Sequence, residues 1–350
     1  MEIQSLIESI GPLNEAAMAM ARERQMQLTK PQGSLGRLEE LAVQIAGITG
    51  QERPSLPRKA VVVMAGDHGV TAEGVSAFPP EVTPQMVLNF LAGGAAINVL
   101  ARRAGARVVV VDVGVAAEMA PRDGLLLRKV APGTRNLATQ PAMTREEAVK
   151  AIQVGVDVVR AEAEKGLDLV ATGEMGIGNT TPSSAVVAVL TGRRPAEVVG
   201  RGTGIDDAGL TRKVRAIEQG IRVNQPNPAD PLDVLAKVGG LEIAGLVGVI
   251  LAGASMRMPV VIDGFISGAA ALVAARLCPA VTPYLIAAHQ SVEVGHRVLL
   301  QSLGLRPLLD LDMRLGEGTG AAIGMQIIDD ALAIQDEMAT FAEAGVSNRE

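Results

Sequence analysis

The feature that most constrains this chain is an alternation: short apolar runs rich in β-branched residues recur between longer alanine-rich segments of helical character. The clearest runs are Ala60–Met64 (AVVVM), Arg107–Val115 (RVVVVDVGV), Leu167–Ala171 (LDLVA), Pro259–Asp263 (PVVID), Tyr284–Ala287 (YLIA) and Leu308–Leu311 (LLDL). Strands separated by helix-length segments build βαβ units and a parallel sheet. The residues just after the runs are equally informative. The first run leads into Gly66-Asp67-His68-Gly69, and the third into Gly173-Glu174-Met175-Gly176-Ile177-Gly178-Asn179-Thr180-Thr181. The fourth leads into Gly264-Phe265, the fifth into His289-Gln290-Ser291 and the last into Gly316-Glu317-Gly318-Thr319-Gly320. In an open parallel sheet the carboxyl ends of the strands share one edge, where ligands bind. Five junctions carrying polar groups, four of them with glycine, therefore predict one site built from distant parts of the chain.

Hydrophobic residues make up 48% of the 350 residues, with four Phe, one Tyr and no Trp. So aliphatic a core suits a sheet buried on both faces by helices. The mean hydropathy of +0.28 points to a further buried surface, read here as a homo-oligomer interface. A membrane span is the competing explanation. The two most apolar stretches, Leu241–Met256 and Pro259–Leu277, are interrupted by Glu242 and Asp263. Both fall short of the roughly 20 uninterrupted apolar residues a span needs, so no membrane partner is expected. The start, MEIQSLIESIGPLNEAAMAMARER, is acidic and helix-like, without a basic stretch before an apolar run. No secretory signal is expected there. One cysteine, Cys278, excludes an internal disulfide framework and fits a cytoplasmic protein. Three His and one Cys make no zinc constellation, and no metal is expected. The net charge of −6 argues against a nucleic-acid partner while leaving room for an anionic small molecule.

The connection Ala116–Thr144 carries Pro121, Pro132 and Pro141 with the basic residues Arg128, Lys129 and Arg135. Ordered loops of that length are usually functional or interfacial, so it is expected to cover the site or meet a second subunit; a solvated excursion is the alternative. Residues 26–324 read as an α/β catalytic domain. Residues 1–25 and 325–350 read as helices that pack together in a small subdomain.

Gly173–Thr181 is the most informative segment. Gly176 and Gly178 let backbone amides face outward, and Asn179, Thr180 and Thr181 add donors just before an Ala/Val helix. Amides at a helix N-terminus bind phosphate without needing a cation. The plain alternative is a helix cap at a glycine turn. Gly200–Asp207 (GRGTGIDD) resembles a second backbone nest, and Arg201, Arg212 and Lys213 are cations near it. Glu317 is a carboxylate inside a glycine turn. Partial burial there raises its pKa and suits it to act as a base. A carboxylate accepting amides at a helix start is the other reading. His68, with Asp67 beside it, reads as a structural histidine at least as well as a catalyst. Phe78 and Phe265 can stack on a flat heteroaromatic ring or fill core. Known alternatives fail on spacing. No G-x-S-x-G elbow is present, and no glycine cluster joins G-x-G-x-x-G after a first strand to an acidic residue about 20 positions later. The Walker lysine motif is also missing from the sequence, as is the acidic pair with a Thr-Gly-Gly-Thr loop of pyrophosphate-dependent phosphoribosyl transfer.

Taken together, GSLGRLE (Gly33–Glu39), AGDHGV (Ala65–Val70), VDVGV (Val111–Val115), GTRNLATQPAMT (Gly133–Thr144), GEMGIGNTT (Gly173–Thr181), GRGTGIDD, DGF (Asp263–Phe265), SVEVGH (Ser291–His296) and LGEGTGAA (Leu315–Ala322) closely resemble one family. It is the nicotinate-nucleotide–dimethylbenzimidazole phosphoribosyltransferases of cobalamin lower-ligand synthesis. Val294 stands where the family has proline, and Gln290 where arginine is common. The resemblance implies a Rossmann-like parallel sheet with flanking helices, a homodimer and no required cofactor. It implies Glu317 as general base and Glu174 as a second carboxylate in the site. Gly176, Ile177, Gly178, Asn179, Thr180, Gly202 and Lys213 would hold the nucleotide phosphate, with Asp263, Gly264, Phe265, Ser291 and Gly316 nearby. Phe78, Gln85, Met86 and Leu315 would line the benzimidazole pocket.

Overall fold

In the computed structural model, residues 2–347 are described, without the side chain of Glu2. The expected terminal subdomain reaches Met1 and residues 348–350, which lie outside the described residues. Among the described residues one sheet has six strands: β1 Lys59–Gly66, β2 Ala106–Gly114, β3 Leu125–Leu127, β4 Leu169–Met175, β5 Val260–Ile262 and β6 Leu285–Ala287. They are parallel throughout, in the order β3-β2-β1-β4-β5-β6. The order reverses between β1 and β4, so the helices following those strands leave on opposite faces and open a crevice at the strand ends. This is the Rossmann-like α/β sheet that the alternation predicts.

Two expectations about strands need correction. Leu308–Leu311 forms no strand; Leu308 and Leu309 N–H groups donate to the carbonyls of Ala287 and Ala288, and the pairing ends at an isolated bridge between His289 and Leu309. β6 stops at Ala287, so the run has no strand to follow, and Leu311 is left exposed. Conversely, Leu125–Leu127 pairs with Val110–Asp112 as an edge strand inside the stretch expected to be an irregular connection. Three leucines carry too little periodicity to tell a strand from a turn.

Alternate residues of β1 divide between two cores. Ala60, Val62 and Met64 lie in the core under the helix Leu241–Ser255, a core that also takes in the helix Arg145–Glu164. Val61, Val63 and Ala65 lie in the core shared with the helices Arg37–Thr49, Ala96–Arg103 and Thr319–Glu337. Each Val or Leu side chain removed from water in this way contributes roughly 1.5–3 kcal/mol. Of the two apolar stretches flagged in the sequence, Leu241–Met256 contains one buried helix and Pro259–Leu277 holds β5 followed by the buried helix Phe265–Leu277. Leu241–Ser255 is apolar all round because the sheet covers one side and Arg145–Glu164 the other. Among the described residues one stretch, Val82–Arg103, is long and apolar enough by mean hydropathy to cross a membrane, with 33% of its window buried. It consists of two helices, Val82–Ala92 and Ala96–Arg103, broken at Gly93-Gly94.

Residues 25–28 contact the segment 335–340. The Gln25 amide donates to Gln335 Oε1 at 2.5 Å, and Leu28 bridges Thr340. The helix Thr319–Glu337 runs unbroken across position 325, however, so the terminal helices continue directly out of the sheet layer.

Candidate active site

A cavity of about 590 Å³ opens at the carboxyl ends of β4, β5 and β6. Of the residues singled out in the sequence, Phe78, Met86, Glu174, Gly176, Ile177, Gly178, Asn179, Thr180, Gly202, Asp263, Gly264, Phe265, Ser291, Leu315, Gly316 and Glu317 all line it. Gln85 and Lys213 do not: Gln85 sits on the exposed side of the helix Val82–Ala92, and Lys213 is buried against Thr180 outside the lining. No residue of Ala116–Thr144 lines the cavity either. That connection instead buttresses the turn after β1, where Thr134 N–H donates to the Asp67 carbonyl and Gly69 N–H to that of Thr134. The expectation of a cover over the site is therefore corrected.

At one end, β4 passes into the helix Thr180–Thr191 through a turn in which Gly178 has φ +86°. The first amides of a helix have no partner within it, which makes this end receptive to an anion. Ile177 N–H donates to the Thr83 hydroxyl at 3.1 Å, fixing the turn against the neighbouring helix. Of the three cations near the second nest, only Lys213 points inward. Its fully buried ammonium donates to the Thr180 hydroxyl at 2.6 Å and to the Gly200 carbonyl at 3.2 Å. Burial pulls its pKa down to about 8, against the opposing pull of Glu293. Arg201 instead pairs with Asp207, and Arg212 donates to the Gly74 carbonyl. The Gly202 amide already has an acceptor, Glu293 Oε1, at 2.9 Å.

At the other end, three residues in succession adopt positive φ: Gly316 (+83°), Glu317 (+63°) and Gly318 (+95°). For a glutamate that conformation costs roughly 1–2 kcal/mol, so the surroundings must hold it. Glu317 Oε2 faces the Ile97 amide at 3.4 Å, in the first turn of the helix Ala96–Arg103. Its carbonyl rests so closely on Gly173 of β4 that a side chain there would collide with it. Burial pushes the Glu317 pKa up; the Ile97 amide opposes this and Asp263 adds to it.

Glu174 joins the two ends. Its Oε2 accepts from the Asn179 side chain, and its Oε1 faces the Glu317 amide at 3.4 Å. Burial, then Asp263 and Glu242, raise its pKa to about 8, so it carries a proton at neutral pH. Phe265 is 1% exposed and forms the back wall, whereas Phe78 and Leu315 stand 53% and 59% exposed at the mouth. His68 lies beneath the site rather than in it. Its Nε2 meets Glu242 Oε1 at 2.8 Å with both side chains fully buried. Burial lowers the His68 pKa, but Glu242 and then Asp67 outweigh it and leave it raised. His296 Nδ1 accepts from the Ser291 amide at 2.8 Å, and burial drives its pKa down to about 3.

Sequence reasoning passed over Val75, Thr203, Glu293 and Arg314, which also line the cavity. Glu293 had a signal, its place in SVEVGH two residues after Ser291. Arg314 had none beyond being adjacent to Leu315. Among the described residues no group of three or more His, Cys, Asp or Glu is placed to hold a metal ion.

Comparison with known proteins agrees with this geometry. The phosphoribosyltransferase family profile matches residues 10–346. The nicotinate-nucleotide–dimethylbenzimidazole phosphoribosyltransferase of Chloroflexus aurantiacus is 63% identical over 347 residues, 99% of each chain. That of Desulforudis audaxviator is 61% identical over 345 residues, 99% of this chain and 98% of the relative. The crystal structure of the enzyme of that name from Thermus thermophilus superposes with a TM-score of 0.92 at 50% identity, covering 96% of this chain and 100% of the other. With a parallel sheet, a cavity joining an anion-receptive turn to a buried carboxylate, and relatives alike along nearly their whole length, the chain belongs to the nicotinate-nucleotide–dimethylbenzimidazole phosphoribosyltransferase family.

Proposed function

We propose that this protein transfers the 5-phosphoribosyl group of nicotinate mononucleotide to 5,6-dimethylbenzimidazole, yielding α-ribazole 5′-phosphate and nicotinate for cobalamin synthesis. The observation that carries this is the joining of the two ends by Glu174, which puts an anion-receptive turn and a carboxylate base in one cavity.

The chemistry asks for little more. An N-ribosylated pyridinium leaves the anomeric carbon readily, because departure neutralises its charge. The phosphate anchors at Gly176–Thr180 above Lys213, and the flat acceptor enters between Phe78, Met86 and Leu315. As its free nitrogen bonds to the anomeric carbon, the bond to nicotinate breaks and the electron pair stays with the pyridine nitrogen. The acceptor's remaining N–H proton passes to Glu317, which leaves a neutral riboside. A positioned base of this kind supplies roughly 10²–10⁴ in rate, about 3–5 kcal/mol of barrier. Alignment of the two rings and the sugar supplies further acceleration. Because Glu174 holds its proton at neutral pH, it acts as a neutral hydrogen-bonding latch and not as an anion opposite a developing oxocarbenium. Displacement from the opposite face inverts the β-nucleotide to an α-riboside.

The test is nicotinate release measured with and without acceptor, together with the product's anomeric configuration. Release that requires a benzimidazole and gives the α-anomer supports the proposal. Equal release without acceptor makes the protein a nucleotide hydrolase, and a β-product rules out direct displacement.

The proposal extends to a homodimer working in the cytoplasm. The exposed apolar side chains Leu88 and Val99, on the helix pair beside the Phe78 mouth, support a subunit contact there. Residues 26–324 are proposed as the catalytic domain, with residues 1–25 and 325–350 as its helical subdomain. The Gln25–Gln335 bond between the terminal helices supports that pairing.

A further inference from the structure

Asp263 lines the cavity, and the family resemblance would assign it to the nucleotide. Its contacts point elsewhere. Oδ2 accepts from the Gly318 amide at 3.1 Å and Oδ1 from the Ala321 amide at 2.9 Å, and the residue is 1% exposed. The helix Thr319–Glu337 begins after Gly318, which has no side chain to cap it. Asp263, from the end of β5, does that work across space. It is itself anchored in the sheet, since its amide donates to the Thr172 hydroxyl of β4 at 3.3 Å. On its far side His289 Nε2 lies 3.9 Å from Oδ1, and the His289 ring packs directly against Gly320. The amides that Asp263 holds thus begin at the residue following Glu317.

We propose that Asp263 is a positioning residue: by capping the Thr319–Glu337 helix from the neighbouring strand it holds Glu317 in its left-handed conformation, with the carboxylate aimed into the cavity. Without that acceptor two buried amides lose their partner, a larger loss than a surface hydrogen bond represents. The cheapest relief is for the three-residue positive-φ turn to relax, which carries the Glu317 carboxylate off its line to the acceptor. Glu174 alone does not prevent this, because its one hydrogen bond to the turn is a long one of 3.4 Å, and its packing on Gly316 does not fix the turn's direction. The inference rests on the reading of Glu317 as base.

The test compares full-length Asp263→Asn, Glu317→Gln and the double variant. Asn keeps one acceptor oxygen but presents an NH₂ group where the second amide needs a partner. In Asp263→Asn, kcat falls about 100-fold, as expected for a reacting group displaced by about 1 Å, while nicotinate mononucleotide affinity stays within about threefold. In the Glu317→Gln background the same change costs nothing further, because there is no base left to misplace. A tenfold or greater loss of nucleotide affinity, or losses that multiply in the double variant, would mean that Asp263 touches substrate, and the proposal falls. Unchanged kcat also overturns it. A readout independent of folding of the variants is residue-resolved hydrogen exchange on the unaltered protein. The Gly318 and Ala321 amides should exchange as slowly as those of β4, and fast exchange sinks the cap. Full turnover by Glu317→Gln with slow exchange at those amides would refute the base and leave the cap standing.

Discussion

At the proposed phosphate end of the cavity the chain presents a glycine turn and the start of a helix, with one buried ammonium, Lys213, held against Thr180. At the base end it crowds Glu174, Asp263 and Glu317 together, and the nearby amides are directed at those carboxylates. Both ends are glycine-rich turns next to a helix N-terminus, so they look alike in sequence. They differ in who takes the amides. At the phosphate end the Ile177, Asn179 and Thr181 amides meet neutral partners, the Thr83 hydroxyl and the Gly176 and Gly178 carbonyls, whereas at the base end the protein's own acids accept the amides. A helix start with its amides occupied no longer attracts a ligand anion and instead fixes the acids that occupy it. On the proposed function, the same local motif therefore makes a binding site in one place and a rigid proton acceptor in the other.

Substitutions that remove the distinguishing group from each end test this contrast. The largest effect is expected from Glu317→Gln, with kcat lower by roughly 10²–10⁴ and nucleotide affinity intact; steady-state kinetics with a binding titration measures both. Next is Lys213→Met, which should raise the nucleotide KM by roughly 10–100-fold with a smaller change in kcat, since it removes a charge-assisted contact. If Lys213→Met lowered kcat alone, the division of labour between the two ends would be wrong.

The pH dependence separates the ends further. Glu317 has to be deprotonated, and its pKa is raised by burial, so turnover falls on the acid side at a higher pH than for an ordinary carboxylate. Lys213 has to be protonated, so nucleotide affinity weakens as the pH rises through about 8. Replacing Lys213 by Arg should move that alkaline limb upward. A limb that stays put assigns it to Glu174, which titrates near the same pH.

A smaller effect concerns stability. The Glu174 pKa rises from 4.5 to about 8 on folding. The fold thus favours its protonated form, and stability is eroded as the pH climbs from 4.5 through 8. Glu174→Gln should therefore melt a few degrees higher than the unaltered protein at pH 9 and no higher at pH 4, read by thermal denaturation at both. The smallest expected effect is at the mouth. Phe78→Ala and Leu315→Ala, both at exposed positions, should raise the acceptor KM only a few-fold and leave nucleotide affinity alone.

Much of this was legible in the sequence because the signals are local. Five of the six strands follow from apolar runs, four of them bounded by glycine, since a parallel strand buried on both faces must be continuously apolar. The two turns that matter most stand out because glycine clusters beside Asn, Thr and Glu have few other uses. Leu308–Leu311 and Leu125–Leu127 run against expectation because strand formation needs a partner, and three leucines do not announce whether one exists. Likewise Arg201 and Arg212 look like Lys213 in the sequence. Only packing sends two of them to Asp207 and the Gly74 carbonyl and buries the third.

The sequence by itself determined the alternating architecture, the edge of the sheet that would carry the site and the residue types available there. Those depend on backbone conformation and hydrophobic periodicity, which act over a few residues. Tertiary structure alone decided that Glu174 spans both turns, that Asp263 serves the Glu317 turn and that the Ala116–Thr144 connection supports the site from behind. Those facts depend on which strand ends become neighbours, and on burial in a low-dielectric interior, where an acid's proton and an amide's partner are set by groups far away along the chain.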